Sequence, residues 1–219
     1  LEEAVKRVHG DDRLTTIVVG KGEHQIDGNC LDISSAVHIV GDPGVAKEEI
    51  VVLGGIYFKK GVQGNCHLQH LTLRQATKSG VAGQSSFLIE DVLVEQCGTC
   101  GVGAYGTGVV GRCTNVEVRQ CGWSGVVAYS GASIALFGAK TTVHHNCTTG
   151  KSDEYGLKVY NSASTIQLVS PLAKEIVSID NGEGQNWGAK GGADIHQIKS
   201  MTQAEMEAAA RSRAEVRVP

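Results

Sequence analysis

The chain of 219 residues contains little proline, phenylalanine, tryptophan or methionine: three, three, two and two residues. No apolar run approaches the roughly 18 residues of a membrane-spanning helix, and the net charge of −3 provides no basic surplus. These absences argue against a membrane partner and against a nucleic-acid partner. Glycine, in contrast, is abundant, with 29 residues. Because glycine adopts positive φ without strain, its abundance is typical of a chain with many tight corners.

An internal repeat is the strongest signal in the sequence. The segment 96–105, which reads QCGTCGVGAY, returns at 120–129 as QCGWSGVVAY, an offset of 24 residues. Weaker echoes follow at offsets of 21 upstream and 25 and 31 downstream. The last offset is longer because one unit carries a polar insert, roughly Cys147 to Tyr155. A fixed period in this range predicts a stacked architecture.

Each repeat unit is predicted to hold two or three short strands. Apolar residues alternate in pairs such as Val92/Val94, Val116/Val118 and Val126/Ala128, and glycine or asparagine separates the runs. A unit of about 24 residues is too short for a four-stranded propeller blade. It fits one coil of a solenoid, in which each strand pairs with the same strand of the next coil about 4.8 Å away.

With this repeat, the chain resembles the right-handed parallel β-helix superfamily, the pectate-lyase-like fold that also occurs in non-catalytic modules. Leu1–Val5 and Thr16–His24 are similar to the capping helix and first coil of such proteins. The resemblance implies an all-β, single-stranded, right-handed parallel β-helix, and the length allows about seven or eight coils. We predict a solenoid domain over 1–199 with an N-terminal capping helix.

The C-terminal segment 200–219 is predicted to be a helical cap or a linker. Thr202 and Glu205 match a capping box ahead of a short helical run. This helix either covers the last coil or leads out of the domain. Because the sequence begins at Leu1, we also expect it to be a segment of a longer protein.

The seven cysteines are interpreted mainly as free thiols. Cys97 and Cys121 recur at the same position of successive coils, where they would stack as small buried groups. Cys97 and Cys100 form a C-x-x-C, but no second cysteine pair lies at metal-binding spacing. Free thiols favour a reducing, intracellular compartment.

A column of tyrosines is the first candidate binding surface. The repeat register predicts that Tyr105, Tyr129 and Tyr160 point outward one coil apart, together with Lys158, which is expected to face water. One interpretation is stacking that only stabilises the sheet. The other is a flat aromatic platform for a sugar ring or a protein partner.

A column of charged residues is the second candidate. Arg74, Glu95, Arg119 and His144 are predicted to face outward on successive strands, and Asp180 follows if Val177 and Ile179 are the next inward pair. Such a column is expected to form an exposed ion-pair ladder of small net value. The alternative is an acid/base site in which Arg119 binds a uronate carboxylate, Glu95 or Asp180 accepts a proton and His144 relays one.

No metal or cofactor is predicted. The adjacent His144 and His145 are expected on opposite faces of a strand, where they could not bind one ion together. The other histidines lack H-E-x-x-H spacing, and the motifs of catalytic β-helices are missing.

We therefore predict a non-catalytic β-helix module with a rigid surface that recognises a protein partner or a polysaccharide. The alternative is a carbohydrate-active lyase, hydrolase or epimerase that acts on uronate-containing glycans, and a third possibility is a structural spacer. A groove with converging titratable groups would favour an enzyme. A broad exposed patch would favour recognition.

Overall fold

The computed structural model describes residues 1–11, 13–182 and 185–208. Helix α1 (Glu2–Gly10) precedes the strands, α2 (Lys174–Val177) interrupts them late in the chain, and α3 spans 203–208. Short 3-10 helices occupy Lys47–Glu49 and Ile195–Gln197. The strands are β1 (Thr16–Val19), β2 (Gly22–Ile33), β3 (His38–Gly41), β4 (Ile50–Phe58), β5 (Cys66–Arg74), β6 (Val81–Gly83), β7 (Phe87–Glu95), β8 (Val102–Tyr105), β9 (Val110–Thr114), β10 (Glu117–Arg119), β11 (Val126–Tyr129), β12 (Ser133–Phe137), β13 (Thr142–His144), β14 (Leu157–Tyr160), β15 (Thr165–Val169), β16 (Ser178–Ile179), β17 (Trp187–Lys190) and β18 (Ile198–Met201).

The strands form a parallel solenoid with three sheets, which confirms the all-β prediction. The first sheet stacks β1, β3, β5, β7, β9, β12, β15 and β18. The second stacks β2, β4, β5, β7, β10, β13 and β16, and the third stacks β2, β4, β6, β8, β11, β14 and β17. Strands β2, β4, β5 and β7 bend and contribute to two sheets each.

The number of turns differs slightly from the prediction. The solenoid has about five turns that are stacked against a complete turn on both sides. The predicted seven or eight coils are reached only by counting the end turns, each of which has a complete neighbour on one side only. The hand of the winding stays a prediction.

The predicted inward residues form the core. Leu71, Leu73, Val92 and Val94 are fully buried, as are Val116 and Val118. They belong to one continuous apolar cluster that runs along the solenoid. Period-two alternation therefore assigned the faces of these strands correctly.

Each bend after the second sheet is made by one left-handed residue. Gln75, Gln96, Gln120, His145 and Asp180 all have φ between 52° and 56°. The residue that follows points inward, and this position carries Cys97 and Cys121. Gly122 N–H donates to the carbonyl of Cys97 at 2.7 Å. This bond joins adjacent turns and both thiols are buried, so the predicted stacking of these two cysteines is confirmed. The neighbouring Cys97 thiol, together with burial, raises the pKa of the Cys121 thiol.

Two asparagines continue this inward column toward the C-terminus. Asn146 and Asn181 are buried, and the Asn146 amide donates to Asn181 Oδ1 at 2.9 Å. The same amide donates to the carbonyls of Val118 and His144. The asparagines therefore satisfy backbone groups at a buried bend, where an unpaired carbonyl would cost about 1–3 kcal/mol.

Three segments outside the three sheets cover parts of their outer faces. The 42–49 loop lies over the second sheet, where Thr72 Oγ1 donates to the carbonyl of Lys47 at 2.9 Å. The predicted insert lies over the third sheet. Helix α3 places Met206 against Ala135 and Val169 on the outside of the first sheet.

Both termini show predicted features. Val5 and Val8 of α1 are buried against the first turn. The capping box is present, because Thr202 Oγ1 accepts from Glu205 N–H at 3.1 Å and Glu205 accepts from Thr202 N–H at 2.7 Å. Residues 209–219 of the predicted cap or linker lie outside the described residues. No helix in the described part of the chain combines the length and the apolar character that a membrane span requires.

A glycine column explains why the repeat contains Gly before Val or Leu. Gly80, Gly101, Gly125 and Gly156 stand just before β6, β8, β11 and β14. A Cβ atom on Gly101 would collide with Val118 Cγ1, and one on Gly125 would collide with Val143 Cγ1. The third sheet therefore begins so close to the inward residues of the second that no side chain fits.

We expect Gly125→Ala to destabilise the fold by about 1–3 kcal/mol, because the new methyl group overpacks the core. Its Cβ would also lie 2.8 Å from Asn146 Nδ2 and 2.9 Å from the carbonyl of Gly156. Urea unfolding measures the effect. The control is Gly20→Ala, whose Cβ would meet nothing within 4 Å. Equal stability of the two variants would contradict this packing.

Candidate functional site on the outer face of the third sheet

The outward positions of the third sheet form a column that changes character along the solenoid. Its members are Asp32, Tyr57, Ala82, Gly103, Val127, Lys158 and Gly188. The first three positions are partly or fully exposed, whereas the rest are buried. The column is therefore covered toward the C-terminus and open toward the N-terminus.

The insert covers the C-terminal half of this face. Lys158 points away from the core, but it is only 7% exposed, so the prediction that it faces water is wrong. Its ammonium group lies 3.0 Å from Glu154 Oε1, and Ser124 Oγ donates to Glu154 Oε2 at 2.5 Å. The repeat alignment placed Lys158 on the correct side of the strand. It did not show that the insert would fold back over that side.

The tyrosine column exists, and its rings contact each other. Tyr105, Tyr129 and Tyr160 are in register on adjacent strands. The Tyr129 and Tyr160 rings are stacked, with centroids 4.5 Å apart and planes at 15°, and the centroids of Tyr105 and Tyr129 are 6.1 Å apart. A Cβ on Gly191 would collide with the other side of the Tyr160 ring. The ring faces therefore point along the solenoid, and mainly ring edges face outward.

Tyr105 differs from the other two tyrosines. Its ring lies over Gly103 of its own strand, where a Cβ atom would collide with it. Burial, with the Cys100 thiol nearby, raises the pKa of the Tyr105 phenol, and the neighbouring Ser79 hydroxyl opposes this shift. Tyr129 is 37% exposed. Tyr129 and Tyr160 thus form a stack with Tyr105 tilted beside it, and an aromatic platform for a sugar ring or a protein partner stays a prediction.

A groove occupies the open N-terminal half of the face. It has a volume of about 430 Å³ and is lined by Cys30, Asp32, Ile56, Tyr57, Lys78, Ser79 and Ala82. Tyr57 and Ala82 provide apolar surface from adjacent strands. Ser79 joins the groove to Tyr105, because its hydroxyl lies near the phenol. The volume falls within the range of about 300–1,000 Å³ that is typical of small-ligand sites.

The charges around the groove do not cancel. Asp32 is paired with Lys59 at 2.9 Å. Lys78 is exposed, and the described residues provide no carboxylate partner for it. Burial and the Asp32 carboxylate raise the pKa of the Cys30 thiol, while the Lys78 ammonium opposes the shift. The groove therefore presents one uncompensated cation beside an exposed thiol.

The charged column on the second sheet is an ion-pair ladder. Arg74 Nε lies 2.6 Å from Glu95 Oε1, and Arg119 Nη2 lies 2.8 Å from Glu95 Oε2. Arg119 also contacts Glu117 at 2.8 Å. Burial alone would raise the pKa of Glu95, but the hydrogen bonds from Arg119 and Arg74 lower it overall. A carboxylate held in this way is a poor proton acceptor at neutral pH.

Asp180 does not belong to this ladder, so its predicted position is wrong. Val143 pairs with Ser178 and His144 pairs with Ile179, which is 40% exposed. The assumed inward pair of Val177 and Ile179 is therefore off by one residue. The helical turn α2 ends at Val177, and the strand begins at Ser178 with its hydroxyl directed inward. Asp180 lies at the bend, where its carbonyl accepts from His145 N–H at 3.1 Å.

His144 and His145 also depart from the prediction. Their rings lie on the same side, with Nδ1 atoms 2.7 Å apart and planes at 83°. The prediction assumed an extended strand, but His145 has φ of 54° and occupies the bend. A left-handed residue turns its side chain back toward its neighbour instead of alternating.

A histidine outside the predicted sites fastens the 42–49 loop. His70 Nδ1 lies 2.6 Å from Asp91 Oδ2, and His70 Nε2 lies 2.8 Å from the carbonyl of Val45. Both partners accept, so both contacts are hydrogen bonds only when both ring nitrogens carry protons, and the arrangement favours the imidazolium. The hydrogen bond to Asp91, followed by that to Val45, raises the pKa of His70. Lys47 lies 2.7 Å from Asp91 and completes the cluster.

Among the described residues, no three histidine, cysteine, aspartate or glutamate side chains are grouped as a metal would require. All seven cysteines are free thiols, and Cys30 alone is exposed. No protein-family profile, curated protein sequence or solved structure matches the chain.

Sequence reasoning did not identify the groove. Cys30, Tyr57 and Lys78 lie in three successive turns, and the N-terminal turns lack the clear repeat that aligned the tyrosines. Strand β2 also changes register between Gln25 and Cys30. A signal was nevertheless present, since Gly80-Val81-Ala82 aligns with Gly101-Val102-Gly103 and would have placed Ala82 in the outward column.

We expect Lys158→Met to destabilise the protein by about 3–5 kcal/mol, because it leaves the buried Glu154 carboxylate without its cation. The double variant Glu154→Gln/Lys158→Met should recover most of this loss. Urea unfolding compares the three proteins. As a control, Lys21→Met removes an exposed partner of Glu49 and should change the stability by less than about 1 kcal/mol. Equal stability of the Lys158 and Lys21 variants would contradict a buried pair.

We expect the His70 cluster to make the stability pH-dependent. A raised folded-state pKa contributes stability that is complete below the unfolded value of about 6.5 and is lost as pH rises through the folded value. The difference in unfolding free energy between wild type and His70→Gln should therefore shrink from pH 6 to pH 9. Asp91→Asn should weaken the same dependence. A difference that stays constant with pH would rule out the imidazolium.

Proposed function

We propose that the chain is a non-catalytic recognition module of the pectate-lyase-like superfamily, and that it binds a carbohydrate chain in the groove of the third sheet. The main support for this proposal is that the outer face of the third sheet is open at its N-terminal end, although it is covered at its C-terminal end. Where the insert lies, the same column is buried; at Tyr57 and Ala82 it is accessible. The parallel, in-register coils support the superfamily assignment.

The polarity of the groove supports a sugar as the ligand. A sugar ring has an apolar C–H face and a rim of hydroxyl groups, so it needs apolar surface together with donors and acceptors. Tyr57 and Ala82 supply the surface, Asp32 accepts, Lys78 donates, and Ser79 does both. Lys78 further favours a ligand with a carboxylate, because its charge is not compensated.

A peptide strand fits this face less well. Strands β4 and β6 of the floor are paired with neighbours on both sides, so their backbone groups are already hydrogen-bonded, whereas β2 pairs with β4 alone. A peptide added as an extra strand needs a free sheet edge. Over β4 and β6, recognition of a protein would therefore depend on side chains, and a protein remains the alternative partner.

The enzyme alternative receives less support. Glu95 is held between two arginines, Arg119 is occupied by two carboxylates, and Asp180 lies at the bend outside the ladder. A uronate carboxylate would have to displace Glu95 or Glu117 to reach Arg119. The ion pairs explain Glu95 and Arg119 as residues that stabilise the second sheet.

Cys30 provides a direct test of occupancy, because it is the exposed thiol and lines the groove. We expect an acidic oligosaccharide to slow the alkylation of Cys30, measured with a thiol reagent over a panel of neutral and uronate-containing oligosaccharides. Lys78→Met should weaken protection by the acidic sugars about tenfold, the value of one charge-assisted hydrogen bond. Tyr57→Ala should weaken protection by all sugars.

Tyr129→Phe, outside the groove, is the matched control and should behave as wild type. Protection by an acidic peptide and by no sugar would replace the carbohydrate with a protein partner. New reducing ends or ultraviolet-absorbing products from a uronate polysaccharide would establish the enzyme alternative. No protection by any of these ligands would overturn the proposal.

A further inference from the structure

The structure brings two imidazole nitrogens together at the bend after β13. His144 Nδ1 and His145 Nδ1 are 2.7 Å apart. A contact this short between two ring nitrogens requires one donor and one acceptor, so a single proton lies between them. The pair is partly open to solvent, because His145 is exposed and the side chain of His144 is 21% exposed.

The hydrogen bonds around His144 fix its tautomer. His144 Nε2 lies 3.2 Å from Glu117 Oε1, and a carboxylate only accepts, so Nε2 carries the proton. His144 Nδ1 then presents a lone pair toward His145. Glu117 is itself held by Arg119 Nη1 at 2.8 Å. In metal sites, a carboxylate that accepts from one ring nitrogen usually orients the histidine whose other nitrogen binds the metal.

We propose that His144 and His145 bind a divalent transition-metal ion through their two Nδ1 atoms. Metal–nitrogen bonds of about 2.0–2.1 Å place two such ligands about 3 Å apart, so the present separation needs to open only slightly as the rings turn toward the ion. The shared proton leaves His145 Nδ1 for solvent while His145 Nε2 takes up a proton from solvent, so the ring stays neutral and both Nδ1 atoms donate lone pairs. Imidazole ligands select nickel, copper or zinc over magnesium or calcium.

The described residues provide no third protein ligand, since no group of three suitable side chains occurs there. The remaining coordination positions are therefore filled by water or by an external ligand. This gives an open site of the kind that keeps exchangeable positions. The site is separate from the groove. It lies at the end of strand β13 of the second sheet, whereas the groove lies on strands β2, β4 and β6 of the third sheet.

The test is titration of the tag-free full chain with Ni²⁺ by calorimetry. We expect saturable binding of one ion and loss of that binding in His145→Gln. This variant is compatible with the fold, because glutamine occupies the same left-handed position at Gln75, Gln96 and Gln120. Glu117→Gln should weaken binding by about 10–100-fold, as is typical when a carboxylate that orients a metal-binding histidine is removed.

A second histidine pair in the same chain is the matched control. His38 and His67 lie in register on the first sheet, with ring centroids 5.6 Å apart and a T-shaped arrangement. His67→Gln should keep Ni²⁺ binding, and Cys30→Ser should also keep it, which excludes the exposed thiol as the ligand. Paramagnetic broadening by Ni²⁺ in the NMR spectrum should centre on His144 and His145.

Three results would overturn the proposal: no saturable binding to wild type, unchanged binding in His145→Gln, or loss of binding in His67→Gln. A thermal unfolding curve for each variant separates loss of the site from loss of the fold. Because the readout is the binding of the metal alone, it does not depend on whether the groove binds a sugar.

Discussion

The in-register parallel pairing between successive turns is the constraint on which the other features depend. Each strand bonds to the same strand of the next turn, so equivalent residues stand about 4.8 Å apart in columns. Tyr105, Tyr129 and Tyr160 lie in one column for this reason, and so do Arg74, Glu95 and Arg119, which form ion pairs. The glycine column follows from the same geometry, because each of these turns passes an inward residue of the second sheet at one place, Val118 at Gly101 and Val143 at Gly125.

A solenoid buries its inward columns but leaves its outward faces open, and this chain covers them in part. The 42–49 loop is fastened by His70 and Asp91, the insert by Glu154 and Lys158, and α3 by Met206. These segments differ in sequence and do not belong to the repeat. On the third sheet, the uncovered region around Tyr57 and Lys78 lies beyond the part that the insert covers. The candidate site is thus shaped by the irregular parts of the chain.

This division explains what the sequence could predict. Alternation and the repeat were enough for the parallel solenoid, the inward valines, the stacked cysteines and the tyrosine column. They failed where a helix interrupts the repeat or where a segment outside the repeat covers a strand. Asp180 moved by one position because α2 precedes β16, and Lys158 became buried because the insert folds back. The groove was missed because its residues come from turns with little repeat, whose register is fixed only by pairing in three dimensions.

The bends show how a repetitive fold acquires local chemistry without a change of architecture. The left-handed position tolerates Gln96, Gln120, His145 and Asp180 alike, because its requirement is a backbone angle and its side chain projects toward solvent. The next position is buried and far more restricted, which explains its thiols and its hydrogen-bonded asparagines. His145, which stands where other turns carry glutamine, therefore adds a metal-binding nitrogen beside His144 and leaves the stacking of the turns intact. New binding chemistry can arise most easily at these corners, where the fold constrains the backbone and leaves the side chain free.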